Sequence, residues 1–381
     1  MTSPAVRQFV GASDLARIAL GWGTFLAAVL AHPLLAAPAP APVLIAALVV
    51  IVAVILVCAF GVVTHAEALA HRLGDPYGSL VLTLSIVLIE VILISAVMLG
   101  PGEHATIARD SVMAVSMIIL NLVIGLALLV GGIRHRGLAH NRTGTSAYLS
   151  MLVVLVALAF GLPALIGNGG AFTLTQEIPI VVLTLGLYAF FLYRQMGAQS
   201  TDFTEVAPLP WATAAEGSTP RVGIRRVLVE HRTEVLVRLA LLVVTVAPIV
   251  LLSHDMAALL DDGLGRLGAP PALAGVLIAA IVFLPESITT IRAALRGEAQ
   301  RVVNLCHGAL VSTVGLTIPV VLIIGMLTGQ TVVLAESPVN LLLLGVTLLL
   351  SVTTFAAKRT TATHGAAHLV VFAAYVIALF S

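Results

Sequence analysis

Apolar residues in this chain come in runs of about 20, each closed by a short cluster of Gly, Pro, Arg, His or Asp. At 1.5 Å of rise per residue, one such helix crosses roughly 30 Å of hydrocarbon. A membrane β-barrel would instead show short segments alternating at period two. The pattern therefore predicts an all-α polytopic membrane protein with about eleven transmembrane helices. The spans read as 18–36, 43–63, 79–100, 111–132, 147–167, 176–193, 236–253, 271–294, 302–327, 338–356 and 365–380. Residues 194–235 form the longest polar interruption and divide six spans from five. This stretch begins in loop formers, "STDFTEVAPLPWATAAEGSTP", and closes on "RVGIRRVLVEH", which reads equally as a surface helix or a solvated linker.

Composition agrees with a membrane chain. Hydrophobic residues make up 60% and charged residues 10%, against about 25% charged in soluble domains. The net charge is +1 and the basic residues are dispersed, so no nucleic-acid partner is expected. The expected partners are membrane lipid and small inorganic cations, with no protein partner predicted. Cys58 and Cys306 both lie in apolar runs, which argues against a disulfide framework. The first run ends in "LAAPAPAP", yet it is long for a signal peptide and reads as an anchor or first membrane helix.

Charge placement predicts orientation. With the N-terminus inside, every Lys and Arg except Arg109 and Arg266 falls in a cytoplasmic segment. That is 19 − 2 = 17 of 19, the asymmetry expected of the positive-inside rule.

With the spans drawn, two carboxylates fall deep inside them. Glu90 sits in "SLVLTLSIVLIEVILISAVMLG" and Glu286 in "AAIVFLPESITTI". Ionisable groups at membrane depth face a bundle interior or a water-filled cavity. A neutral Glu bonded to a neighbouring helix for packing is the bland alternative. Setting aside residues 1–42 leaves two groups of five helices, 43–193 and 236–381, joined by the cytoplasmic linker 194–235. Glu90 and Glu286 then lie on the second helix of each group. An odd number of spans per group forces opposite orientations, so the layout reads as an inverted repeat with carboxylates near the midplane. "VMAVSMIILNLVIGLALLV" (112–130) aligns weakly on "VVNLCHGALVSTVGLTIPV" (302–320).

Pro285 precedes Glu286 and removes a helix hydrogen bond, which is expected to open the carbonyl of residue 281 beside the carboxylate. Helical spacing nominates supporting ligands: Thr83 two turns before Glu90, then Ser287, Thr289 and Thr290 around Glu286. Asn121 in the fourth span and Asn304, His307 and Ser312 in the ninth are candidates to line the same cavity. For each the rival is local, since hydroxyls bond back to their own helix and Asn bonds a neighbouring one. Gly308, Ser312 and Gly315 also suit close helix approach.

Carboxylate and carbonyl oxygens are hard ligands, suited to Ca²⁺ or Na⁺. Two carboxyls bearing two protons are neutral, and two carboxylates around Ca²⁺ are neutral as well. Either load crosses a low-dielectric barrier far more cheaply than two bare anions. That arithmetic is a physical route to obligatory exchange of protons for a cation, and no cofactor is expected beyond the transported Ca²⁺ (or Na⁺ or K⁺) and H⁺.

These stretches resemble the calcium:cation antiporter superfamily, and within it the bacterial calcium/proton and sodium–potassium/proton antiporters. The resemblance is carried by "FGVVTHAEALAHRLGDPYGSLVLTLSIVLIEVILI" (60–94), "GVLIAAIVFLPESITTIRAAL" (275–295) and the helix from Asn304 to Pro319. It implies that Glu90 and Glu286 are the ion-binding carboxylates. Many relatives carry Gly-Asn-Ala before the acidic residue, whereas here "SIVLIE" and "IVFLPE" lack that Asn, which keeps Na⁺ and K⁺ open beside Ca²⁺.

In "THAEALAHR" (64–72), His65, Glu67 and His71 are candidates for proton relay or pH regulation, or for a solvated interfacial turn. Their spacing is not the His-Glu-x-x-His of zinc proteases, which disfavours an intramembrane metalloenzyme. A cation channel is disfavoured because no continuous polar helix face is present. The expected function is a proton-coupled antiporter exporting Ca²⁺ across the bacterial cytoplasmic membrane by alternating access. The same machine selecting Na⁺ or K⁺ is the alternative.

Overall fold

The computed structural model describes residues 10–35, 39–73, 77–99, 105–206, 231–270 and 272–381. Each expected span is a helix. In chain order they are α1 (Ala12–Leu35), α2 (Ala41–Leu73), α3 (Tyr77–Met98), α4 (Ile107–His135), α5 (Arg142–Ile166) and α6 (Leu174–Met196). After the interruption follow α7 (Arg232–Arg266), α8 (Ala272–Arg296), α9 (Ala299–Thr328), α10 (Pro338–Ala356) and α11 (Ala362–Leu379). Ten of these are long and apolar enough to cross a membrane among the described residues, and α3 is a further apolar helix of 22 residues.

Helix ends carry identifiable stops. Asn141 caps α5 by accepting from Thr143 and Gly144 amides at 3.1 and 3.3 Å. Ser337 caps α10 ahead of Pro338, and Thr173 with Gln176 forms a capping box on α6. α2 and α7 hold 33 and 35 residues, about 50 Å each, so they extend past the hydrocarbon into polar sequence that the hydropathy boundaries left out.

Among the described residues, two helices are interrupted by π-helical turns. Ile118–Val123 breaks the middle of α4 around Asn121, and Ala157–Gly161 breaks α5. α8, by contrast, runs unbroken through Pro285. The break expected there is corrected: one missing amide is absorbed by a helix held on α4 and α9, and the interruptions fall elsewhere.

The packing is reciprocal. α2 lies on α7; α3 lies on α9, and α8 on α4; α6 lies on α9, and α11 on α4; α5 lies on α10. α1 rests on α2 and α7 at the edge. The centre is α9, in which 22 of 30 residues are buried, together with the similarly buried α4. Gly308 and Gly315 abut the rings of Tyr148 and Tyr188, and Gly365 lets α11 close on α4, where a methyl group would strike the Gly125 carbonyl.

The linker begins as a docked segment. A 3₁₀ turn, Ser200–Phe203, places Phe203 against Tyr148 and Phe191. Residues 207–230, including most of "RVGIRRVLVEH", lie outside the described residues.

Candidate ion-binding site

Glu90 on α3 and Glu286 on α8 are both buried, 4% and 5% exposed, amid apolar side chains. α9 reaches both helices. Thr313 on α9 donates its hydroxyl to Glu90 Oε2 at 2.5 Å. Two turns earlier on the same face, Cys306 lies 3.9 Å from the Thr290 hydroxyl, one turn beyond Glu286. The two carboxyl groups are close enough to interact electrostatically.

Their remaining oxygens stand open. Glu90 Oε1 and both oxygens of Glu286 have no hydrogen-bond partner among the described residues. Glu286 and Pro285 line a cavity of about 10 Å³, space for about one water or small ion, closed by Ile55, Val62, Ile89 and Ile249. A bare carboxylate walled by apolar side chains costs several kcal/mol, so this pair is stable only when neutralised by protons or by a cation.

The other candidates separate into those near this site and those bound elsewhere. Thr290 is fully buried beside Cys306. Ser287 donates back to the Phe283 carbonyl at 2.7 Å, and Thr289 to the Pro285 carbonyl at 3.1 Å, so both hydroxyls are committed to α8 itself. Thr83 lies on α3, but its side chain falls outside the described residues, as does that of His71.

Asn121 joins a different network. Its amide donates to Thr347 at 2.9 Å, and its carbonyl meets His368 Nδ1 at 3.3 Å, while His368 Nε2 meets the Thr354 hydroxyl at 3.2 Å. Asn304 donates to the Phe203 carbonyl at 2.7 Å and so fastens the linker turn to α9. Ser312 accepts from Tyr188 at 3.0 Å. His307 sits among aromatic rings, 4.9 Å from Phe355 and 6.4 Å from Tyr148 between centroids. These four were expected to line one cavity. Adjacent positions on a helix point about 100° apart, and α4 and α9 are buried all round, so their polar groups serve several neighbours.

At the far end of α2, His65 Nε2 meets Asp14 of α1 at 3.2 Å, and Glu67 lies 3.7 Å from Arg301. Sequence reading missed Thr313, which adjoins the nominated Ser312, and the partners Thr347 and His368.

A helical membrane bundle with paired carboxylates on facing interior helices has the layout of a secondary transporter. The chain belongs to the sodium/calcium exchanger protein family, which matches it over residues 43–197 and 237–381. It is 36% identical over 323 residues to a putative ionic transporter, y4hA, of Sinorhizobium fredii, covering 84% of each chain. It is 31% identical over 340 residues to the sodium-potassium/proton antiporter ChaA of Escherichia coli, covering 89% of this chain and 90% of that one. Its fold is shared with native YfkE at a TM-score of 0.64 and 17% identity, covering 96% and 99% of the two chains. The H⁺/Ca²⁺ exchanger CAX matches at a TM-score of 0.66 and 14% identity, covering 96% and 87%. The protein is thus a multi-pass membrane transporter of the cation-antiporter class.

Proposed function

We propose that this antiporter exchanges protons for Ca²⁺, with Glu90 and Glu286 binding protons and cation alternately as the bundle opens to either side. The observation that carries the reading is the buried pair itself: two carboxyls on helices that share α9, with three of their four oxygens unpaired among the described residues. A divalent cation neutralises two carboxylates as two protons do, and the unpaired oxygens are its ligands. The reciprocal helix pairing, α3 on α9 and α8 on α4, supports two inverted repeats over 43–193 and 236–381 as the moving parts. The bacterial cytoplasmic membrane is the location that goes with the similarity to the Escherichia coli antiporter, and the distribution of Lys and Arg supports an orientation with the N-terminus and the 194–235 linker inside.

A second reading, Na⁺ or K⁺ in place of Ca²⁺, is favoured by the similarity to the sodium-potassium/proton antiporter along most of the chain. Proton flux in proteoliposomes driven by Ca²⁺, Na⁺ and K⁺ in turn separates the two. A Ca²⁺ response exceeding both monovalent responses supports the first reading, and a response to monovalent cations alone replaces it with the second.

A further inference from the structure

Away from the carboxylate site, α1 and α7 lie side by side at the edge of the bundle, running in the same direction and in register. Trp22 Nε1 of α1 donates to the Val244 carbonyl of α7 at 3.2 Å. Ten residues further along each helix, about 15 Å, His32 comes level with His254. Between these two levels the helices wall a groove of about 730 Å³.

The two ends of the groove differ in chemistry. Phe25, Val29, Val250 and Leu251 line its deeper part, and His32, His254 and Asp255 line the end towards the close of α1. Polarity therefore changes along the helix axes as it does along a phospholipid. A second groove, about 470 Å³ between α1 and α2, is lined by apolar residues and Thr24 and holds no ionisable group. Asp255 is what sets the first apart. It is half-buried in the groove wall, and among the described residues it has no hydrogen bond and no ion pair. A carboxylate at the edge of hydrocarbon is costly unless a cation meets it. His32 and His254 are exposed beside it and feel its charge without bonding to it.

We propose that the α1–α7 groove binds one phospholipid whose headgroup carries a protonated primary amine beside its phosphate. The ammonium group donates to the Asp255 carboxylate, and the imidazoles of His32 and His254 donate to phosphate oxygens. An acyl chain lies along the apolar part of the groove. A glycerol headgroup would set its phosphate against Asp255 with no cation between them, and a choline headgroup brings the positive charge without an N–H to donate. With the N-terminus inside, the site faces the outer leaflet. α1 precedes the stretch matched by the family model, which begins at residue 43, so the lipid joins this additional helix to the exchanger body. The inference holds whichever cation is exchanged.

The test uses purified, delipidated full-length protein in detergent. Ethanolamine, choline and glycerol phospholipids with the same acyl chains are added in turn, and binding is read by native mass spectrometry and by thermal melting. One ethanolamine phospholipid should be retained, at a concentration about fivefold or more below that needed for either other lipid, and should raise the melting temperature. Asp255→Asn should abolish the preference and leave the lipid-free melting temperature near that of the wild type, because Asp255 has no protein partner to lose. Val29→Trp fills the apolar part with Asp255 intact and should weaken ethanolamine phospholipid binding by a similar factor. Equal affinity for all three headgroups in the wild type, a preference for the glycerol lipid, or a preference that survives Asp255→Asn would overturn the proposal. So would stabilisation by an added divalent cation that a chelator reverses with no lipid retained, which assigns the polar end to a metal ion. The wild-type mass spectra decide the headgroup preference even where a variant fails to fold.

Discussion

Thr313 on α9 holds Glu90 on α3 by a 2.5 Å hydrogen bond, whereas Glu286 on α8 has no partner for either oxygen among the described residues. The two carboxylates are therefore not equivalent. One is anchored to the central helix, and the other faces a small cavity beside Pro285. In the proposed cycle of loading and release, Glu90 would provide the fixed ligand and Glu286 the adjustable one.

Thr313→Val removes the donor and nearly preserves shape. A hydrogen bond to a charged group contributes about 1.5–3 kcal/mol, so apparent cation affinity should fall by roughly 10- to 100-fold. Thr313→Ser should keep most of it. Transport measured against cation concentration decides this, and a Val variant equal to wild type would remove Thr313 from the site.

Why Thr313 escaped sequence reading while Glu90 did not has a physical cause. A charge in an apolar run is visible anywhere, because hydrocarbon tolerates it only for a reason. A hydroxyl in "LVSTVGL" is not, since α9 is buried on every side and no apolar face marks which of Ser312 and Thr313 points where. All eleven spans were legible from run length alone. The ends of α2 and α7 were not, because helices continue into polar sequence once they leave the hydrocarbon. The π turn at Asn121 left no signal either, and Asn121 meets Thr347 and His368, not the carboxylates.

The Asn121–His368 network should act on stability more than on cation binding. Each single Ala variant leaves a buried polar partner unpaired, which costs about 1–3 kcal/mol. In a double-mutant cycle by thermal unfolding in detergent, Asn121→Ala and His368→Ala should couple by about 1 kcal/mol, with cation affinity unchanged in either. Additive losses would show that the 3.3 Å contact is not an energetic one.

Glu336, in the loop between α9 and α10, gives a pH prediction. Burial raises its carboxyl above the ordinary carboxylate range, against the Asn340 amide, Arg109 and the Ser337 N–H, which favour the anion. The folded state therefore binds more protons than the unfolded one between the two values. Its contribution to stability is fully present below the unfolded value of about 4.3 and is lost as pH rises through the folded value. Glu336→Gln should melt higher than wild type at about pH 8, with the gap closing towards about pH 4. A gap that widens in acid would reverse the assignment.

The central claim is that Glu90 and Glu286 together carry both proton and cation. The most direct test is cation-driven proton flux in proteoliposomes containing Glu90→Gln or Glu286→Gln, with folding checked by thermal melting. Each variant should fold as well as wild type, since Gln matches a protonated Glu in size and is neutral like it, and should lose exchange by about 100-fold or more. Exchange that survives in either well-folded variant would contradict the account.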